Sequence, residues 1–151
     1  MHQEFHGTLE LSADPGRVWE VVSDIPTVLS WISIVEDVEE AGSDYRVVLA
    51  DKLGPFKLRA DVDVAVAERL EGKLIRARGD GEDRQIGSRL IIEVALALEP
   101  QDHGTHVDVS GSYEVTGRPA SLGAGSIRKK AAAILSEFFA SAERSVGAVT
   151  P

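Results

Sequence analysis

The chain has 151 residues, 25 acidic and 16 basic, with a formal net charge of −9, 5% aromatic residues and no cysteine. That length fits one folded unit with a real core, and the missing cysteine excludes disulfides, thiolate chemistry and Cys-based zinc sites. The acidic balance opposes general binding to nucleic acid and electrostatic adhesion to an anionic membrane.

Residues 4–12 alternate, with Phe5, Leu9 and Leu11 on one face and Glu4, His6, Thr8 and Glu10 on the other, which predicts a strand. Asp14-Pro15 supplies a cap and a first-turn proline for a short helix through Val22. Asp24-Ile25-Pro26 repeats that logic for a second short helix with Val28, Leu29, Trp31 and Ile32, so both tryptophans fall in a helical pair capping one end of the core. Strands follow at 35–40, 45–50, 56–67 and 74–79, separated by turn signals. In the 56–67 strand Phe56, Leu58, Ala60, Val62, Val64 and Val66 share one face. The polar stretch Asp80 to Gly87 reads as an exposed loop. Arg89 to Leu98 is apolar at nearly every position, as expected of a strand covered on more than one side. After a turn at Asp102-His103-Gly104, Val107, Val109, Gly111, Tyr113 and Val115 alternate with polar residues. From Pro119 to about Arg144 one long helix places Ile127, Ala131, Ile134, Leu135, Phe138 and Ala142 on a single stripe.

The order is one strand, two short helices, six strands and one long helix, without βαβ alternation. The predicted fold is α+β: a seven-stranded antiparallel sheet wrapped around the C-terminal helix, in one domain over 1–146 with a flexible tail at 147–151. No run approaches a membrane span, and Met1 to His6 lacks the basic and apolar regions of a secretory signal, so a cytoplasmic protein is expected.

Catalytic and metal constellations are sparse. His2, His6, His103 and His106 sit on polar strand faces and a loop, which suits exposed histidines better than a metal site. Glu93, between Ile92 and Val94, is either a surface ion pair with Arg76, Arg78 or Arg89 or a carboxylate raised in pKa inside a pocket. Gly123, Gly125 and Ser126 precede Arg128-Lys129-Lys130 without the strand and the Gly-Lys-Ser/Thr of a phosphate loop. Those glycines are expected to bring the helix close to the sheet or to widen a cavity mouth. With Arg118, the basic trio reads as a solvated helix face, or as a small docking patch for an anionic partner. No cysteine, Gly-x-Ser-x-Gly or triad pattern offers a nucleophile, and nothing points to a cofactor or metal.

The space between sheet and helix is either a packed core or a pocket. An empty volume of about 300 Å³ would cost about 7 kcal/mol, comparable with a domain's whole stability of about 5–15 kcal/mol. Small inward residues (Ala60, Ala77, Gly79, Gly111, Ala131) favour space.

Several motifs now gather: Phe5-x-Gly7, Asp14-Pro15-x-x-Val18-Trp19, Gly54-Pro55, Gly104-Thr105, Val115-x-Gly117-x-x-Ala120-x-Leu122-Gly123 and a helix ending near Phe138-Phe139. In this order the chain resembles the carbon monoxide dehydrogenase G-subunit (CoxG) family, within the START-like (SRPBCC, Bet v 1-like) helix-grip superfamily. One departure is Ser33-Ile34, where the family usually has a Pro-Gly turn. The resemblance implies a non-catalytic accessory of a molybdenum hydroxylase, acting in its maturation or membrane attachment, peripheral at the inner face of the membrane. It also implies a cavity for a hydrophobic small molecule, a quinone or another lipid-like compound. The expected lining is Phe56, Leu58, Val62, Ile75, Val109, Tyr113, Leu122, Ile127, Ala131, Leu135 and Phe138, with Trp31 near the mouth and the Tyr113 hydroxyl orienting one polar group. Two rivals stand beside it. One is an enzyme of the polyketide cyclase/dehydratase kind using Tyr113 or Glu93; the other is a protein–protein adaptor with a filled core.

Overall fold

The computed structural model describes residues 1–53, 56–85 and 87–147, without the side chains of Leu53, Phe56 and residues 118–122. The elements in order are β1 (His2–Leu11), α1 (Pro15–Val22), α2 (Ile25–Leu29), β2 (Val35–Ala41), β3 (Asp44–Leu53), β4 (Phe56–Leu70), β5 (Leu74–Asp83), β6 (Ser88–Gln101), β7 (Gly104–Thr116) and α3 (Arg118–Val146). The predicted Gly54-Pro55 motif and the tail beyond Gly147 lie outside the described residues.

The sheet runs β1-β7-β6-β5-β4-β3-β2, all antiparallel. Six consecutive strands form a meander, and β1 returns to pair with β7, so α1 and α2 carry the chain from one sheet edge to the other. α3 lies across the sheet, touching β1, β3, β6, β7 and α1. This is the expected helix-grip arrangement.

Local chemistry sets the elements. The Asp14 carboxylate accepts from the Arg17 amide (2.8 Å) and caps α1, with Pro15 in the first turn. α2 ends at Leu29, so Trp31 and Ile32 fall beyond the helix predicted for them. In β4 the register shifts between Val66 and Glu68, a bulge that bends the strand. In β5 a Cβ at Gly79 would lie 3.1 Å from Val62 Cγ1, and one at Gly81 would lie 2.7 Å from the Val62 backbone. These two glycines let β5 close tightly on β4.

Three expectations are corrected. The first half of the expected loop, Asp80 to Asp83, is strand, because Asp83 is buried and anchors β5. Its carboxylate accepts from the amides of Arg59 (2.7 Å) and Gln85 (2.9 Å). The outer face of β6 is not covered by a second layer: Glu93 is exposed and lies 4.0 Å from Arg78, and Arg76 stands opposite Ala95. Long arginine stems shade the small apolar residues there without a packed layer. α3 is also interrupted, since Gly123 has non-helical angles (φ −136°, ψ 26°). Gly123 marks the kink, and nothing lies within 4 Å of a Cβ built at Gly123 or Gly125, so neither glycine is needed for a close approach to the sheet.

One end of the core is aromatic. The buried Trp31 meets Phe138 edge-on, with centroids 5.5 Å apart, and its indole N–H donates to Ser145 Oγ (2.9 Å). Phe139 lies over Gly7, where a Cβ would be 2.2 Å from its Cζ. The glycine of Phe5-x-Gly7 is therefore a seat for that ring. We expect Gly7→Ala to destabilise by about 1–3 kcal/mol and Phe139→Leu to restore much of the loss, read from urea midpoints of both single variants and the double variant.

On the outer surface the Glu10 carboxylate is hydrogen-bonded to the His106 ring and raises its pKa above 6.5, outweighing partial desolvation. His6 pairs instead with Asp108, and among the described residues no group of three His, Cys, Asp or Glu is placed to hold a metal ion. A raised histidine pKa stabilises the fold fully below 6.5 and loses that contribution as pH rises through the folded value. Thermal stability should therefore fall slightly as pH rises from below 6.5 through the folded value. Glu10→Gln should remove that part of the slope; an unchanged slope would contradict the assignment.

Candidate functional site

Between the concave sheet face and α3 lies a cavity of about 460 Å³. Its sheet wall comes from alternating inward positions: Phe5, Val47, Leu49, Leu58, Val62, Val64, Ile75, Ala77, Leu90, Ile92, Val94, Leu96, Val109, Tyr113 and Val115. α3 supplies Ile127, Ala131, Ile134, Leu135 and Phe138, and the α1–α2 segment supplies Val22, Ile25, Val28, Leu29 and Ile32. Small residues keep it open. Ala77, Gly79 and Ala131 line it where larger side chains would fill it. The Phe5 ring lies against Gly111, where a Cβ would come within 2.6 Å of it.

Of the predicted lining, Leu58, Val62, Ile75, Val109, Tyr113, Ile127, Ala131, Leu135 and Phe138 converge on this cavity. The side chains of Phe56 and Leu122 lie outside those described. Trp31 does not line it; it packs edge-on against Phe138, which does. The α2 contribution was not anticipated, although the apolar spacing of Ile25, Val28, Leu29 and Ile32 was there to be read. Ile34 also lines the cavity, in the turn that replaces the usual Pro-Gly, and its carbonyl accepts from the Ala50 amide (2.9 Å). No described residue other than glycine has positive φ, so this turn does without the left-handed glycine of a Pro-Gly turn.

Polar groups are few: Gln3, Glu4, Asp51, Arg78, Ser88 and Tyr113 on the strands, with Arg128 and Lys130 on α3. Asp51 and Lys130 both line the cavity and form an ion pair at 3.0 Å, with the Asp51 side chain only 19% exposed. The geometry is that of a close charge pair without an aligned hydrogen bond to Asp51 Oδ2, while Asp51 Oδ1 accepts from the Lys52 amide (2.7 Å). Burial pushes the Tyr113 phenol above its ordinary pKa, opposed in part by the nearby Arg128 guanidinium. Glu93 lies on the opposite sheet face, paired with Arg78. That removes one of the two acid–base groups on which a cyclase reading would depend.

The comparisons with known proteins fit this architecture. The family model for the carbon monoxide dehydrogenase G-subunit (CoxG) matches residues 7–147. The chain belongs to the CoxG family. Among curated proteins no sequence matches it. Solved structures similar to this CoxG member include a conserved protein from Geobacillus kaustophilus, with TM-score 0.80, 22% identity and 95% of each chain covered. A protein from Thermus thermophilus has TM-score 0.66 and 19% identity, covering 95% of this chain and 97% of that one. The Zhui aromatase/cyclase from a Streptomyces species has TM-score 0.59 and 17% identity, covering 99% of this chain and 100% of that one. At these identities the structural likeness speaks for the fold alone, in which CoxG and aromatase/cyclase proteins share a sheet gripping a helix. Among the described residues no helix of this CoxG protein is long and apolar enough to cross a membrane.

Proposed function

We propose that this CoxG protein binds an apolar small molecule, a quinone or lipid-like compound, in the cavity beneath α3, and does not catalyse a reaction on it. It would serve a molybdenum hydroxylase of the carbon monoxide dehydrogenase type, in maturation or membrane attachment, from the cytoplasmic side.

The cavity itself supports this reading. At about 460 Å³ it falls within the usual range for small-molecule sites, about 300–1,000 Å³. Kept dry and empty, it would cost about 11 kcal/mol at roughly 24 cal/mol per Å³. Water is a poor occupant, because each molecule needs several polar partners and the walls are mainly Val, Leu, Ile and Phe. An apolar guest relieves the cost and gains affinity from the same surface. The volume also argues against an adaptor with a filled core, and the outward position of Glu93 argues against a cyclase.

The test is organic extraction of the purified protein, followed by mass spectrometry and by titration with a long-chain quinone and a phospholipid. A copurified lipid or quinone, or saturable binding of one of them near equimolar ratio, is the expected result. Empty protein that binds neither would overturn the proposal.

A further inference from the structure

The cavity wall is not uniformly greasy, and its polar positions are unequal. Lys130 is paired with Asp51, the Arg78 side chain turns to Asp80 and Glu93 on the outer face (4.0 Å each), and Gln3, Glu4 and Ser88 supply the remaining strand-side polar positions. Arg128 also lines the cavity, is exposed, and has no carboxylate partner among the described residues. The Tyr113 hydroxyl lines the same space and makes no hydrogen bond among the described residues. That hydroxyl is free to donate to a ligand atom placed in the cavity. The two groups belong together electrostatically, since the Arg128 charge acts on the Tyr113 phenol. In a chain with net charge −9, such a cation at the cavity stands against the general trend.

We propose that Arg128 and Tyr113 form a head-group site at the cavity, selecting amphiphiles whose polar end is an acceptor oxygen: a carboxylate or a carbonyl. A guanidinium can only donate hydrogen bonds and a phenol donates readily, so a head that accepts satisfies both. An alkane leaves both unpaired. The apolar tail then runs towards Ile75, Leu135 and Phe138. This inference rests on the ligand-binding reading and specifies which ligand chemistry the site prefers.

The experiment is displacement of Nile red from the full chain by palmitate, by the matching long-chain methyl ketone and by the matching alkane. Palmitate or the ketone should displace the dye at least about 10-fold more effectively than the alkane, the scale of a hydrogen bond to a charged group. If the natural head is anionic, Arg128→Gln erases the palmitate advantage. If it is a neutral carbonyl, Tyr113→Phe weakens the ketone several-fold while Arg128→Gln leaves it. Either result supports the site. Lys129→Gln removes an adjacent exposed charge that does not line the cavity, and it should leave the ratios unchanged. Equal displacement by all three compounds, ratios untouched by both site variants, or an equal effect of Lys129→Gln would overturn the head-group site and leave the apolar pocket standing. Failure of Nile red and of every compound to bind would overturn both.

Discussion

Ala131→Trp will abolish binding of apolar ligands while leaving the protein folded and more heat-stable. Ala131 is half-buried on the stripe of α3 that faces the sheet, and it lines the cavity together with the small residues Ala77 and Gly79. An indole placed there would occupy volume that a ligand needs. We expect at least a 100-fold loss of affinity, about 2.7 kcal/mol. The same ring buries apolar surface in the empty protein, so the unliganded fold should gain about 1–2 kcal/mol. That corresponds to a rise in Tm of about 2–8 °C. Dye titration and thermal melting read the two effects separately. A variant that binds like the parent would show that ligands sit elsewhere. A variant that simply unfolds would mean that the space is not free, and Ala77→Leu, on the sheet side, would then decide between the two.

Gly104→Ala should cost far more stability than a methyl added at an unobstructed glycine such as Gly72. Gly104 opens β7 with φ +147°, and a Cβ there would lie 1.9 Å from the Leu11 carbonyl oxygen. The obstacle is backbone, so no rotamer change relieves it. Relief requires breaking the β1–β7 pairing at Leu11↔Thr105 and disturbing the bond from the buried Thr105 hydroxyl to the Ala13 carbonyl (2.8 Å). Steric displacement and backbone strain together should cost about 3–5 kcal/mol, a large share of a typical domain's stability. Gly72 provides the contrast: its φ is +74°, but nothing lies within 4 Å of its Cβ position. Gly72→Ala should cost only about 1–2 kcal/mol. Equal losses in urea melts would mean that the close approach at Gly104 is not what fixes the strand.

These two glycines also explain how much the motifs could convey. Gly104-Thr105 and Phe5-x-Gly7 are recognisable in the chain as short patterns, but their reasons are contacts with Leu11 and Phe139, far away along the sequence. Likewise the surface pairs, such as Arg89 with Asp80 (2.9 Å), join strands whose register the chain alone does not state. Exposed pairs of this kind contribute little to stability, about 0–1 kcal/mol each, so they shape the outer face more than they hold it.

The amino-acid order by itself determined which residues alternate and which recur at helical spacing, and therefore the strand count, the terminal helix and the inward faces of β4, β7 and α3. Those features follow from local backbone geometry, where side-chain direction repeats every two or every 3.6 residues. Whether the inward faces meet or stand apart was decided only in three dimensions. It depends on the bulge in β4, the glycines of β5, the kink at Gly123 and the edge-on packing of Trp31 against Phe138. Each of these sets a distance between elements remote in the chain, and a one-dimensional pattern encodes direction but not separation. For the same reason Trp31's place behind Phe138, outside the lining, and the pairing of Lys130 with Asp51 that leaves Arg128 without a carboxylate partner among the described residues emerged only from the folded chain.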